Sequence, residues 1–189
     1  MGWSVAIQSD SADRAVAVIG SPQFRFPGSL NNFGAAFLYR LGPGWPASPD
    51  RTRNFFYLMP PTFSEMPPSP PSSAASPPPP PPQTPSTFSP NRFGFAVAIN
   101  ADYVVVGAPG EGVQQGKVYV FSTNQTANIT TSAVAELTPD TSTPGDQFGY
   151  SVTIAGAPRH TIAVGAPGQS AVYLFESHAP DVWLQMNYR

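Results

Sequence analysis

Short runs of apolar and polar residues, each strand-sized, recur along the chain. Ala96-Val97-Ala98-Ile99 is followed by Tyr103 to Gly107, then by Lys117-Val118-Tyr119-Val120-Phe121, then by Ala133 to Leu137. Aromatic and β-branched residues at alternating positions suit half-buried strands. The run Val104-Val105-Val106 is apolar without a break, as expected of an inner strand covered on both faces. No apolar run is long enough to span a bilayer as a helix.

The same order returns downstream. Phe148-Gly149-Tyr150-Ser151-Val152-Thr153-Ile154 aligns with Phe93 to Ile99, and Thr161 to Pro167 aligns with Tyr103 to Pro109. Ala171 to Phe175 aligns with Lys117 to Phe121, and Trp183 to Tyr188 supplies a fourth run. A degraded copy precedes both: Gly2 to Ile7, Ala15 to Pro22, Ala36 to Tyr39 and Asn54 to Met59. Gly94 and Gly149 stand about 55 residues apart, in the range of propeller blades. The second run of the two clear copies ends in Gly107-Ala108-Pro109 or Gly165-Ala166-Pro167. Proline cannot donate to a ladder, and glycine and alanine permit close backbone approach. The expectation is an all-β fold of three four-stranded antiparallel propeller blades.

Phe-Gly, then a Val-Gly-Ala-Pro strand, then a Gly-x-Val-Tyr-x-Phe strand resembles the FG-GAP repeat of integrin α subunits and of many secreted proteins. The resemblance implies that Phe93 and Phe148 pack between blades and that Gly94 and Gly149 let the chain turn. It gives Gly107, Ala108, Pro109, Gly165, Ala166 and Pro167 a structural role, with Asp146-Gln147 as the lead-in to a first strand. Gly2-Trp3 takes the place of Phe-Gly in the first copy, and Gly20-Ser21-Pro22 that of Gly-Ala-Pro. Integrin-type repeats often carry an Asp-rich calcium loop of clustered hard oxygens. The matching links are Asn100-Ala101-Asp102 and Ala155 to His160, while Asp10 and Asp13 read as turn residues. No calcium cage and no other cofactor is expected.

A Pro-rich stretch separates the first two copies. The blades are expected at residues 1–59, 92–144 and 145–189, with the insert at 60–91. It contains Ser69-Pro70-Pro71, Ser76-Pro77-Pro78-Pro79-Pro80-Pro81-Pro82 and Pro85. Such a run forms neither helix nor central strand and takes polyproline II, rising about 3.1 Å per residue. It can be read as a stiff spacer, as an SH3 or WW ligand, or as a glycosylated stalk. Its flanks lack the basic residue such ligands usually need. Serine followed by four or more prolines resembles the extensin motif of hydroxyproline-rich glycoproteins. That resemblance implies hydroxylation of these prolines and O-glycans on them and on Ser69 and Ser76, and the stalk is the reading taken. Asn124-Gln125-Thr126 and Asn128-Ile129-Thr130 are N-glycosylation sequons.

Composition narrows the function. Charged residues are 11% and the net charge is −2, which leaves no basic footprint for nucleic acid. Cysteine is absent, which removes disulfides and thiol chemistry. His160 and His178, the sole histidines, read as a turn and a loop residue without the close second ligand that zinc needs. No nucleophile elbow, phosphate loop or carboxylate pair appears, so an enzyme is not expected. Three blades cannot close a ring of four to eight. The expectation is an extracellular structural glycoprotein that associates with copies of itself or with further blades. An integrin-like adhesion module is the alternative. Met1 is followed at once by strand-like sequence, so a secreted protein would appear here as a mature or partial chain.

Overall fold

A computed structural model describes residues 2–11, 14–25, 33–41, 55–58, 91–123 and 132–186. For residues 10, 11, 14, 40, 41 and 55–57 only the backbone is described. The first sheet holds β1 (Ser4–Ser11), β2 (Arg14–Ser21), β3 (Ala35–Leu41) and β4 (Phe55–Leu58). The second holds β5 (Ala96–Ile99), β6 (Tyr103–Ala108), β7 (Lys117–Ser122) and β8 (Ala135–Leu137). The third holds β9 (Ser151–Ala155), β10 (Thr161–Ala166), β11 (Ala171–Ala179) and β12 (Val182–Met186). Each sheet is an antiparallel meander in sequence order, and the all-β blade expectation holds. Strand ends differ from the sequence reading by one to a few residues, because turns and edge pairing set them.

The three blades share one register. Gly20 pairs with Ser4 and Ala36, Gly107 with Ala96 and Val118, and Gly165 with Ser151 and Val172. This equivalence corrects the first copy. Gly2 has φ +81°, like Gly94 at +84° and Gly149 at +88°. Gly2 is therefore the counterpart of the Phe-Gly glycine, and Trp3 that of Phe95 and Tyr150. In the first copy Gly2 is thus the glycine of the motif and not the stand-in for its aromatic.

Strands β1, β5 and β9 lie side by side at the inner edge, and the sheets pack face to face. Two apolar clusters fill the gaps. One joins Val18, Leu38 and Leu58 of blade 1 to Phe93, Val106 and Phe121 of blade 2. The other joins Val105, Val118 and Leu137 of blade 2 to Phe148, Ile162 and Val164 of blade 3. The middle blade is covered on both sides, so all six residues of β6 are buried. Strand β10 buries only alternate residues, because one face of its sheet meets no other blade among the described residues.

Candidate functional site

The seams between blades are built from the repeated motif. Phe93 and Phe148 are both 0% exposed. Phe93 lies against Tyr119 and Phe121 at ring distances of 5.4 and 6.2 Å. Phe148 lies edge-on to Tyr173 and Phe175 at 5.6 and 5.9 Å. The motif glycines belong together across each seam. A Cβ on Gly20 would fall 2.0 Å from the carbonyl oxygen of Gly94, and one on Gly107 would fall 2.1 Å from that of Gly149. The glycine of one blade's Gly-Ala-Pro segment thus receives the glycine of the next blade's Phe-Gly, a contact no side chain leaves room for. Ala108 and Ala166 are buried beside these glycines. Pro109 and Pro167 follow directly after β6 and β10.

A second contact repeats with it. Gly34 and Gly116 form parallel bridges with Phe93 and Phe148. The Phe93 and Phe148 N–H groups donate to the carbonyls of Phe33 and Gln115, at 3.2 and 2.9 Å. The aromatic residue after each Phe-Gly glycine then forms a ladder. Trp3 meets Phe95 at 5.4 Å, and Phe95 meets Tyr150 at 4.7 Å.

Between blades 2 and 3 an open cleft of about 710 Å³ is lined by Asp102, Tyr103, Arg159, His160, His178 and Pro180, among others. Asn100 holds three of its lining residues. Its Oδ1 accepts from the N–H groups of Asp102 and Tyr103, at 3.0 and 2.8 Å, an Asx turn. Its Nδ2 is then aimed at His160 Nδ1, 3.0 Å away. An Asn Nδ2 can only donate, so His160 Nδ1 is the acceptor and Nε2 carries the proton. Nε2 lies 3.4 Å from Asp102 Oδ2. Both ring nitrogens of His160 thus have a neighbour within the protein. Burial pushes the Tyr103 hydroxyl pKa up, and the Asp181 and Asp102 charges add to the rise.

At the seam between blades 1 and 2, the Tyr119 hydroxyl donates to Glu111 Oε2 at 2.6 Å. Burial, with this carboxylate, raises its pKa far above the ordinary value. Lys117 lies 2.9 Å from Glu136 and 3.5 Å from Glu111. Burial alone would lower its pKa, but the two carboxylates outweigh burial and raise it. Asp146, 3% exposed, accepts from Thr143 Oγ1 at 2.6 Å and Gln169 Nε2 at 2.7 Å, so this lead-in residue pins a loop.

The two histidines fare differently. His160 does lie in the turn between β9 and β10, but it is only 6% exposed there. It lies edge-on to Tyr103 at 5.0 Å. His178 is not in a loop but in β11, with Glu176 Oε2 3.8 Å from its Nε2. The Asn100–His160–Asp102 contact is not legible in the sequence because His160 lies 60 residues from Asn100; the one local signal is Asn-x-Asp after a strand. Ser69, Pro70, Pro71, Ser76, Pro77 to Pro82, Pro85, Asn124 and Asn128 lie outside the described residues, as do Asp13, Asn54, Met59 and Tyr188.

Among the described residues, no three His, Asp or Glu side chains group as metal ligands. Nor is any helix among them long and apolar enough to cross a membrane. No curated protein sequence matches the chain. The FG-GAP repeat family matches residues 89–121 and 131–175, which are the strands of blade 2 and most of blade 3. FG-GAP repeats point to a β-propeller module of the adhesion or ligand-binding type and typically occur in extracellular or surface proteins. Residues 89–121 and 131–175 of this chain are thus similar to FG-GAP repeats.

Proposed function

We propose that the chain is a non-enzymatic structural glycoprotein of the cell exterior, a subunit of a fibre, wall or surface assembly. Blade-to-blade packing builds the assembly, and the Pro-rich stretch is its glycosylated arm. One observation carries this reading: Val5 and Ile7, at seam positions of blade 1, are 70% and 65% exposed. Their counterparts Val97 and Ile154, in the seams, are each 9% exposed. Apolar surface of this kind, grouped on one sheet face, marks an interaction site. Negative-stain microscopy of native material tests the assembly, with filaments or closed multi-subunit particles expected. Discrete single-copy particles at high concentration refute it. Intact mass tests the arm: masses above the bare sequence are expected, and a mass equal to it rules out glycosylation.

A second reading, an adhesion or ligand-binding propeller module, is favoured by the polar cleft of about 710 Å³ between blades 2 and 3. Monomeric particles that capture a soluble ligand, and lose it in His160→Ala, would support it.

A further inference from the structure

Both internal seams use the same parts, and the described residues leave one half of such a seam free at each end. On blade 1 the free half is the Phe-Gly side. Gly2 has the left-handed φ of +81° and nothing within 4 Å of a Cβ built on it. Trp3, Val5 and Ile7 beside it are 63%, 70% and 65% exposed. On blade 3 the free half is the Gly-Ala-Pro side. Gly165 holds the position of Gly20 and Gly107, but a Cβ there would meet only its own blade's Ser151 Oγ, at 2.3 Å. Ser151 in turn holds the position of Ser4, whose Oγ donates to Gly94 O at 3.2 Å across the first seam. Val172, counterpart of the fully buried Val118, is 71% exposed.

One residue departs from the pattern. The residue before the third strand is Gly34 in blade 1 and Gly116 in blade 2. A Cβ on either would fall 2.1 or 2.0 Å from the carbonyl oxygen of Phe93 or Phe148. Blade 3 has Ser170 there, at φ +53°. Its Cβ occupies space that an incoming blade's backbone needs, and a backbone cannot rotate out of the way as a side chain can.

We propose that the free face of blade 1 docks on the free face of blade 3 of a second copy, in the register of the internal seams. Ser170 holds this copy-to-copy seam open at one edge and makes it the weakest of the three. The inference rests on the assembly reading above and specifies its interface. The second copy is the fitting occupant because it carries both halves of a contact the chain already makes twice. Across the new seam Gly165 meets the Gly2 carbonyl, Ser151 Oγ donates to it, and Tyr150 continues the aromatic ladder onto Trp3. Such a head-to-tail contact closes a ring if its rotation allows, and otherwise runs on as a filament.

Sedimentation velocity over a concentration series tests this with three proteins. Ser170→Gly should tighten self-association about tenfold or more relative to wild type, which is about 1.4 kcal/mol. Gly165→Ala should abolish it while keeping the fold, since its methyl meets only a rotatable hydroxyl within the blade. The chain has no cysteine, so register can be read directly. Trp3→Cys and Tyr150→Cys variants, mixed and treated with a short bismaleimide, should cross-link to each other and not to themselves. Self-association unaffected by either glycine variant, without the mixed cross-link, overturns this interface and leaves the assembly reading standing. Absence of self-association in all three proteins overturns both.

Discussion

Phe148→Ala empties the middle of the seam between blades 2 and 3. The ring is 0% exposed and packs with Val118 and Val120 of β7, with Ile162 and Val164 of β10, and with Phe175 of β11. Strands on both sides are held by their own ladders and cannot collapse inward, so the cavity persists. Burying a phenylalanine contributes about 1.5 to 3 kcal/mol. The unrelaxed cavity brings the expected loss to about 3 to 5 kcal/mol. Urea unfolding followed by tryptophan fluorescence reads it, because Trp183 belongs to the same cluster. The midpoint should fall with the slope unchanged, the mark of lost stability rather than a changed end state. Phe95→Ala is the control. Phe95 is half-buried and touches its ladder neighbours Trp3 and Tyr150, so about 1 to 2 kcal/mol is expected from its partial burial. A Phe148→Ala loss under about 1 kcal/mol, or one no larger than that of Phe95→Ala, would refute the assignment of this ring as the seam's core.

Gly107→Ala should destabilise by more than about 2 kcal/mol, since its methyl would sit 2.1 Å from the Gly149 carbonyl. Equal stability in a thermal melt would show that the two glycines do not meet. Asn100→Ala removes two backbone acceptor bonds and the donor to His160, and a loss of about 1 to 3 kcal/mol is expected in urea. Alkaline pH should also destabilise the fold. The pKa of Tyr119 is raised in the folded chain, so its contribution is complete below the unfolded value near 10 and declines as pH rises above it. Urea midpoints at pH 9 and 11 should fall, and Tyr119→Phe should flatten the fall. An unchanged slope of stability with pH in that variant would contradict the burial of the phenol.

Local pattern was enough for the blades because each strand's signal is contained in a few residues. Alternating Val, Ile and Tyr mark β5 and β7, the unbroken apolar run marks β6, and Gly-Ala-Pro marks its end. Repetition at about 55 residues then supplied the tandem order. The Phe-Gly register of the first copy is not legible locally, because the distinguishing feature is a backbone angle. Gly2 at φ +81° shows its equivalence to Gly94 and Gly149 only once the backbone is traced.

The sequence by itself determined the approximate strands and their order. Those follow from local alternation and from residues with special backbone demands. Tertiary structure alone decided which atoms meet across the seams. Gly20 against Gly94, Gly107 against Gly149 and Asn100 against His160 are contacts between segments 42 to 74 residues apart, and no local preference encodes them. It also decided the asymmetry of the ends. Val5 and Val97 are the same residue type at the same blade position, yet one is 70% exposed and the other 9%. Exposure depends on whether another blade stands in front, which is a property of the packed array and not of the strand.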